Sequence, residues 1–286
     1  MKTILLQLDT DPQPSVFDRV VAVDAGVDQL FVHGGVTVDN VEPLVHGLMF
    51  TRGGENLKNS AIFIGGSQVA AGEALLKKVK KTFFGPVRVS VLMDSNGSNT
   101  TAAAAVLSAR RHLALKRCRA TVLAATGPVG QRAAQILASE GAHVHVGSRG
   151  LDRATQACEA IAREVPGAQL TPMAAGTVEE VRQACHGASL VIAAGAAGIE
   201  LLPESARREL KDLKVAIDLN AVPPAGIGGI AVHEKGVDHD GVLCYGAIGV
   251  GGLKMKIHKA AVQKLFTAND LVLDTAAIYQ LGLALV

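Results

Sequence analysis

Residues 123–134 read LAATGPVGQRAA and decide how the second half of the chain is expected to fold. They follow an apolar run and open a segment of helical spacing that leads to a second apolar run, HVHVGS, at 143–148. Gly127 and Gly130 supply the second and third glycines of G-x-G-x-x-G, whereas Ala125 stands at the first. A strand, a tight turn and a helix in this order favour a dinucleotide-binding turn with a displaced bend. The alternative is a plain strand–helix turn, because glycine and proline also punctuate turns for structural reasons alone.

The end of the second apolar run indicates which nucleotide this turn holds. An NAD site usually has Asp or Glu about 20 residues beyond the glycine turn, and this chain has Ser148 and Arg149 there. A hydroxyl and a guanidinium bind a 2′-phosphate, which a carboxylate would repel. The sequence therefore predicts NADP as the cofactor; the alternative is that Arg149 is a solvated loop residue. The predicted cofactor contacts are Thr126, Gly127, Pro128, Val129, Gly130, Ser148, Arg149, Arg153, Ala194, Gly195 and Asn220.

The rest of the chain alternates apolar runs with segments of helical spacing, which predicts α/β architecture with parallel sheets covered by helices. The predicted strands are 4–10, 29–35, 60–66, 87–94, 120–126, 143–148, 168–174, 189–195, 214–220 and 242–250. The predicted helices of the first half are 15–26, 38–50 and 68–84. The later series suits a doubly wound, Rossmann-type nucleotide-binding domain.

Two α/β domains are expected, joined by a long helix over residues 98–115. The substrate domain is predicted to comprise 1–105 and the C-terminal helices from about 256 to 286, and the NADP-binding domain 106–255. The return of the C-terminal helices to the first domain is inferred from their need to bury apolar faces.

Composition excludes several classes of protein. Among 286 residues, 28 Lys and Arg stand against 26 Asp and Glu without a basic block, which argues against nucleic-acid binding. No apolar run is long enough to cross a bilayer and no signal-peptide pattern is present, so a cytoplasmic location is the default expectation. The 4 cysteines and 9 histidines are dispersed without a C-x-x-C pair, which predicts reduced, buried thiols and no metal site.

Two further stretches are expected to meet a ligand. The stretch DSNGSNTTAA, residues 94–103, has more polar side chains than one helix cap needs. The stretch GAIGVGGLKMKIHKA, residues 246–260, is expected to form a glycine-rich bend and then a helix with two lysines near its start, where the helix dipole disfavours them. We expect Lys254 to bind a ligand. Lys256 is equally compatible with ligand binding and with a solvent-exposed helix face. The candidate substrate-binding residues are Asp94, Asn96, Ser98, Asn99, Thr100, Lys254 and Lys256.

Taken together, these stretches resemble one family, the bacterial NADP-dependent methylene-tetrahydromethanopterin dehydrogenases, which include members acting on methylene-tetrahydrofolate. The matching residues are 8–18, 51–54, 60–66, 83–104, 126–134, 218–230 and 246–260. The resemblance implies two α/β domains with an interdomain active-site cleft, NADP on the second domain, a methylene pterin against both, and homo-oligomeric assembly as a trimer or dimer. It also implies that Lys254 lies by the pterin. Ala125 and Ser148 depart from the glycines found in the family, which leaves the sugar-phosphate contacts open.

The implied reaction belongs to one-carbon metabolism and moves a hydride from the methylene carbon of the pterin to the nicotinamide, leaving the methenyl form. No proton leaves with the hydride, so no general acid or base is needed. This agrees with the lack of a Ser/His/Asp, Cys/His or paired-carboxylate pattern. Lys254, the one catalytic candidate, is expected to position the polar edge of the pterin. The alternatives are a methylene-tetrahydrofolate dehydrogenase, a shikimate-type NADP dehydrogenase with an Asp94 and lysine pair, and a non-catalytic NADP-binding sensor.

Overall fold

The computed structural model describes residues 1–286, in which strands and helices alternate along most of the chain. The strands are β1 (Ile4–Asp9), β2 (Gln29–His33), β3 (Ser60–Gly65), β4 (Ser90–Met93), β5 (Arg119–Leu123), β6 (His143–Ser148), β7 (Gln169–Ala174), β8 (Leu190–Ala193), β9 (Val215–Asp218), β10 (Lys235–His239), β11 (Val242–Tyr245) and β12 (Val272–Leu273). The α-helices are α1 (Val16–Asp24), α2 (Glu42–Met49), α3 (Val69–Thr82), α4 (Ser98–Arg110), α5 (Pro128–Ser139), α6 (Leu151–Glu164), α7 (Val178–Cys185), α8 (Glu204–Arg208), α9 (Ala247–Lys264) and α10 (Thr275–Leu283).

The first sheet has the strand order β12-β4-β3-β1-β2, and all of its pairs are parallel. Its central strand β3 is buried at every position, as expected for a parallel strand covered by helices on both faces. Leu8, Ile62, Ile64 and Val91 belong to its core. Because the strands run in one direction, the loops after β1, β3 and β4 emerge at the same edge, here called the first carboxyl edge.

The second sheet has seven strands in the order β10-β11-β9-β8-β5-β6-β7. Its pairs are parallel except β10 with β11. The order in which strands are added to the sheet switches at β5. The strands β6 and β7 lie on one side of β5, and β8 and β9 lie on the other side. Ligands of doubly wound sheets bind outside the carboxyl ends of the strands at such a switch point.

The chain divides into two compact units, Met1–Thr100 with Met255–Val286, and Thr101–Lys254. The first unit contains the first sheet, and the second unit contains the second sheet. The expected α/β class with parallel, helix-covered sheets is therefore confirmed. No helix combines the length and apolarity that a bilayer crossing requires.

Two details of the second unit differ from the sequence expectation. The strand expected over 242–250 ends at Tyr245, because α9 begins at Ala247. The strand β10 was not expected at all; it forms a hairpin with β11 through Asp240 and Gly241, which both have positive φ, 57° and 85°. Asp-Gly between two extended runs is a strong hairpin signal, so this strand was within reach of sequence reasoning.

Candidate functional site

The bend of the glycine turn lies at Ala124, which has a φ of 55°. The N–H of Gly127 donates to the carbonyl of Ala124 over 3.0 Å, and the N–H of Ala125 donates to Gly147 over 2.9 Å. Ala125 therefore continues the pairing with β6 and lies fully buried at 0% exposure. This is the displaced bend that alanine at the first glycine position leads us to expect. Helix α5 then begins at Pro128 with no side chain capping its first N–H groups.

The two glycines of this turn have different roles. A Cβ at Gly130 would lie 2.7 Å from the carbonyl oxygen of Ala124 and 2.8 Å from Cα of Ala125, so only glycine lets α5 approach β5 this closely. A Cβ at Gly127 would lie 3.4 Å from the oxygen of Ala124 and 3.8 Å from that of Ala194, which is ordinary contact. Gly127 is therefore not needed for packing, and its bare backbone leaves space at the positive end of α5 where a phosphate is stabilised.

Ser148 and Arg149 lie at the carboxyl end of β6. Ser148 is 3% exposed, and its hydroxyl lies 3.4 Å from that of Thr126 in the glycine turn. Arg149 and Arg153 are exposed on the loop after β6 and the start of α6, and neither forms a hydrogen bond or ion pair within the protein. We call these four residues the phosphate corner. Two hydroxyls and two unpaired guanidinium groups beside a helix N-terminus fit a nucleotide that carries an extra phosphate.

The remaining predicted cofactor contacts follow β5, β8 and β9 at the same end of the second sheet. Ala194 and Gly195 come after β8 and are half-buried, while Pro128 is exposed and Val129 half-buried at the start of α5. Asn220, after β9, is 6% exposed. Its amide nitrogen donates to the carbonyl of Pro224 over 2.9 Å, and its amide oxygen accepts from the N–H of Val222 over 3.0 Å. Both ends of this side chain therefore hold the loop after β9.

Asp218, the last residue of β9, organises the same loop. Its carboxylate accepts hydrogen bonds from the N–H groups of Asn220, Gly226 and Ile227 over 3.0, 2.7 and 3.2 Å. Burial raises the pKa of this carboxyl, and the three backbone donors oppose that rise. A Cβ at Gly226 would lie 2.6 Å from the carboxylate, which explains a glycine in this loop.

The polar stretch after β4 comes together at the first carboxyl edge, but mostly with its side chains turned to one another. Asp94 is fully buried and accepts from the N–H groups of Asn99 and Thr100 over 2.9 and 3.0 Å, so it caps α4. Asn99 donates to the carbonyl of Met93 over 2.7 Å. Ser98, Asn99 and Thr100 are at most 1% exposed. Asn96 alone of the five candidates is exposed, in a left-handed conformation with φ 56°.

Sequence reasoning assigned no role to two aspartates that shape the same edge. Asp9 is 1% exposed and accepts from the N–H groups of Asp11 and Ser15 over 3.0 and 3.1 Å. Asp11 accepts from the N–H and the hydroxyl of Ser67, both over 2.9 Å, and so ties the loop after β1 to the loop after β3. The signal was the run LDTDPQPS directly after a buried strand, where polar residues commonly build ligand loops.

Lys254 does not lie near a helix start, contrary to the sequence expectation. Helix α9 begins at Ala247, so Lys254 lies about two turns inside it, and the argument from the helix dipole does not apply. Lys254 is half-buried and Lys256 is exposed. The glycine run before them is not a bend either: a Cβ at Gly246 or Gly249 would collide with backbone of the segment 231–235. These glycines let the first turns of α9 pack against that segment.

Comparison with known proteins places the chain in a family. The family pattern described as "Methylene-tetrahydromethanopterin dehydrogenase, N-terminal" matches residues 16–96. The chain is 45% identical over 285 residues to the "Bifunctional protein MdtA" of Methylorubrum extorquens, covering 98% of each chain. It is 33% identical over 298 aligned positions to the "NAD(P)-dependent methylenetetrahydromethanopterin dehydrogenase" of the same organism, again covering 98% of each.

A solved structure supports the fold independently. The ligand-free form of the 5-ketofructose reductase of Gluconobacter sp. strain CHM43 superposes with a TM-score of 0.56 at 14% identity, covering 100% of this chain and 99% of that one. At this identity the likeness shows the fold alone. The full-length similarity to the two curated relatives decides the relationship: this chain belongs to the methylene-tetrahydromethanopterin dehydrogenase family.

Proposed function

We propose that this chain oxidises methylene-tetrahydromethanopterin to the methenyl form with NADP as the hydride acceptor. The observation that carries the proposal is the full-length similarity to a relative whose name states this NAD(P)-dependent reaction. The glycine turn and the phosphate corner at the carboxyl end of the second sheet support it, because they offer what a dinucleotide requires at the expected place.

The preference for NADP over NAD rests on the phosphate corner. Ser148 and Thr126 present hydroxyls, and Arg149 and Arg153 present guanidinium groups with no acidic partner. A guanidinium donates charge-assisted hydrogen bonds to a phosphate, and no carboxylate stands at the end of β6 to bind the ribose hydroxyls of NAD instead.

The residues of the chain hold and orient the reactants and are not needed to move a proton. A nicotinamide bound at the carboxyl end of the second sheet would supply the acceptor for the hydride of the methylene carbon. The N-terminus of α5 would stabilise the pyrophosphate. The buried Asp218 holds the loop after β9 through three backbone N–H groups. Catalysis then depends on alignment and on the electrostatics around a developing cation. Lys254 stays the proposed positioning residue for the polar edge of the pterin, and Asn96 is the exposed candidate of the first carboxyl edge.

Steady-state rates with defined carriers test the proposal. Purified protein is mixed with NADP and either methylene-tetrahydromethanopterin or methylene-tetrahydrofolate, and the appearance of reduced nicotinamide is followed. We expect turnover with the methanopterin carrier at the higher kcat/KM. A higher kcat/KM with the folate carrier would make the chain a methylene-tetrahydrofolate dehydrogenase. Cofactor binding without turnover on either carrier would make it a sensor and overturn the proposal.

Homo-oligomeric assembly also stays a proposal, as does a cytoplasmic location. Helix α1 supports assembly, because Val16, Val20 and Val23 lie on one of its faces and are 65%, 53% and 64% exposed. Contiguous exposed apolar faces mark protein–protein contacts, whereas apolar residues scattered singly over a surface do not. Light scattering coupled to size exclusion measures the mass directly; we expect a dimer or trimer, and a monomer would contradict the proposal.

A further inference from the structure

Three side chains of metal-ligand type converge at the hairpin of β10 and β11. Glu234 immediately precedes β10, His239 ends it, and Cys244 lies in β11. The hairpin pairs Val237 with Cys244 and His239 with Val242. Paired residues and residues two apart on a strand share a face of the sheet, so His239 and Cys244 point to the same side.

The distances between these groups suit one small cation. Nε2 of His239 lies 2.9 Å from Oε2 of Glu234, and one ligand atom from each of the three residues lies within 4.8 Å of the other two. In a tetrahedral zinc site, bonds of about 2.0 to 2.3 Å place neighbouring ligand atoms roughly 3.5 Å apart. Side-chain adjustments of about 1 Å close the set. The side chains of His239 and Glu234 are 26% and 10% exposed, so an ion can enter and a water can complete the coordination.

The carboxylate is held in position by the backbone around it. Oε1 of Glu234 accepts a hydrogen bond from the N–H of Ala231 over 2.9 Å, which leaves Oε2 for the cluster. The carbonyl of Glu234 accepts from the N–H of Gly246 over 2.9 Å, just before α9 begins. Ligating carboxylates are commonly oriented by such outer hydrogen bonds. The cluster therefore lies where the hairpin meets the start of α9.

The charges of the cluster are those a divalent cation requires. A thiolate and a carboxylate together neutralise a dication, and the mixed S, N and O donor set is that of zinc rather than of magnesium or calcium. Cys244 is fully buried beside Val242 in the core of the second sheet, so its thiol faces the cluster from the protein interior.

We propose that Glu234, His239 and Cys244 form a site for a zinc-type divalent cation, which fastens the segment before β10 to both strands of the β10–β11 hairpin. The sequence led us to expect no metal, because the 4 cysteines and 9 histidines are dispersed along the chain without a C-x-x-C pair. The hairpin turn at Asp240 and Gly241 is what brings them together. The site is independent of hydride transfer, so its test does not depend on the proposed function.

Cobalt titration of the full chain, after removal of bound metal with a chelator, tests the site. Co²⁺ occupies zinc sites and gives a thiolate-to-metal charge-transfer absorption when cysteine is a ligand. We expect about one equivalent of Co²⁺ per chain, this absorption, and a higher Tm in the presence of Zn²⁺. Cys244→Ala should lose the thiolate absorption. Glu234→Gln, which keeps an oxygen for the Ala231 N–H, should weaken Co²⁺ binding by roughly 10- to 100-fold.

Cys158→Ala is the matched control, because Cys158 lies in α6 away from the cluster and should leave Co²⁺ binding unchanged. Circular dichroism establishes that each variant is folded; should Cys244→Ala fail to fold, Glu234→Gln decides. The proposal is overturned if Co²⁺ does not bind saturably, if the thiolate absorption survives in Cys244→Ala or disappears in Cys158→Ala, or if Glu234→Gln binds as tightly as the unchanged protein.

Discussion

At the scale of single residues, the proposed preference for NADP depends on Arg149. A hydrogen bond to a charged group contributes about 1.5 to 3 kcal/mol, which is roughly 10- to 100-fold in affinity. We expect Arg149→Ala to raise the Kd for NADP by roughly that factor and to leave the Kd for NAD unchanged, since only NADP carries the 2′-phosphate. Calorimetric titration with both cofactors measures the two values.

Arg163→Ala is the control for this change. Arg163 is exposed in the last turn of α6, so its substitution removes the same charge at a place away from the phosphate corner. It should leave both affinities close to those of the unchanged protein. An equal loss of NADP and NAD affinity in Arg149→Ala would show that the side chain supports the loop and does not bind the phosphate.

The thiol of Cys158 gives a second prediction at this scale. Burial, with a smaller contribution from the charge of Glu159, raises the pKa of Cys158 to about 11. Because the thiolate is the nucleophile, alkylation by iodoacetamide should be slow at neutral pH and should rise roughly tenfold per pH unit until the pH nears that pKa. Mass spectrometry after timed labelling measures the rate. A plateau near pH 8.5, as for an unfolded chain labelled in urea, would contradict the shift.

At the scale of elements, the glycine turn separates cofactor binding from stability. Gly127→Ala adds a Cβ that makes only ordinary van der Waals contacts, so the Tm should not change. The added methyl group would occupy the space where a phosphate approaches the N-terminus of α5, so NADP affinity should fall by roughly tenfold or more. Gly130→Ala forces α5 away from β5 and should lower the free energy of unfolding by about 1 to 3 kcal/mol. Thermal unfolding and titration measure both effects. Equal loss of Tm in the two variants would refute the division of roles.

Helix α9 carries the prediction for the substrate. Because Lys254 is proposed to position the pterin, Lys254→Ala should lower kcat/KM for the pterin by roughly 10- to 100-fold and leave NADP affinity unchanged. The pH dependence of kcat should not change, since the lysine moves no proton. Lys264→Ala, an exposed lysine at the end of the same helix, is the control. Unchanged pterin kinetics in Lys254→Ala would remove Lys254 from the site.

At the scale of the whole molecule, the sequence predicts the fold class well because the central strands of both sheets are buried runs that alternate with helical segments. β3 and β8 are buried at every position, and such runs between helical segments leave few other architectures. The differences between the sequence prediction and the structure are confined to single elements. The glycine run at 246–252 indicates a bend in sequence, yet its glycines serve helix packing, and this depends on neighbours that are distant in the chain.

The candidate site was predicted less completely than the fold, because part of it depends on contacts between residues that are distant in the chain. The position and the chemistry of the phosphate corner follow from short-range spacing, so Ser148 and Arg149 could be named from the sequence. The sequence could not show which residues of the polar stretch after β4 are structural and which are exposed to a ligand. Only Asn96 is exposed. The others are buried at the first carboxyl edge, where Asp94 and Asn99 form hydrogen bonds within the protein; they are Asp94, Ser98, Asn99 and Thr100. The cluster of Glu234, His239 and Cys244 depends on a strand pairing that the sequence analysis missed.

The central claim, direct hydride transfer from a methylene pterin to NADP, is tested most directly with methylene-tetrahydromethanopterin deuterated at the methylene carbon. The protein is supplied with equal NADP and NAD, and mass spectrometry locates the deuterium after a single turnover. We predict the deuterium in NADPH, with little in NADH and none in water. Deuterium in the solvent, or in NADH ahead of NADPH, would contradict the account.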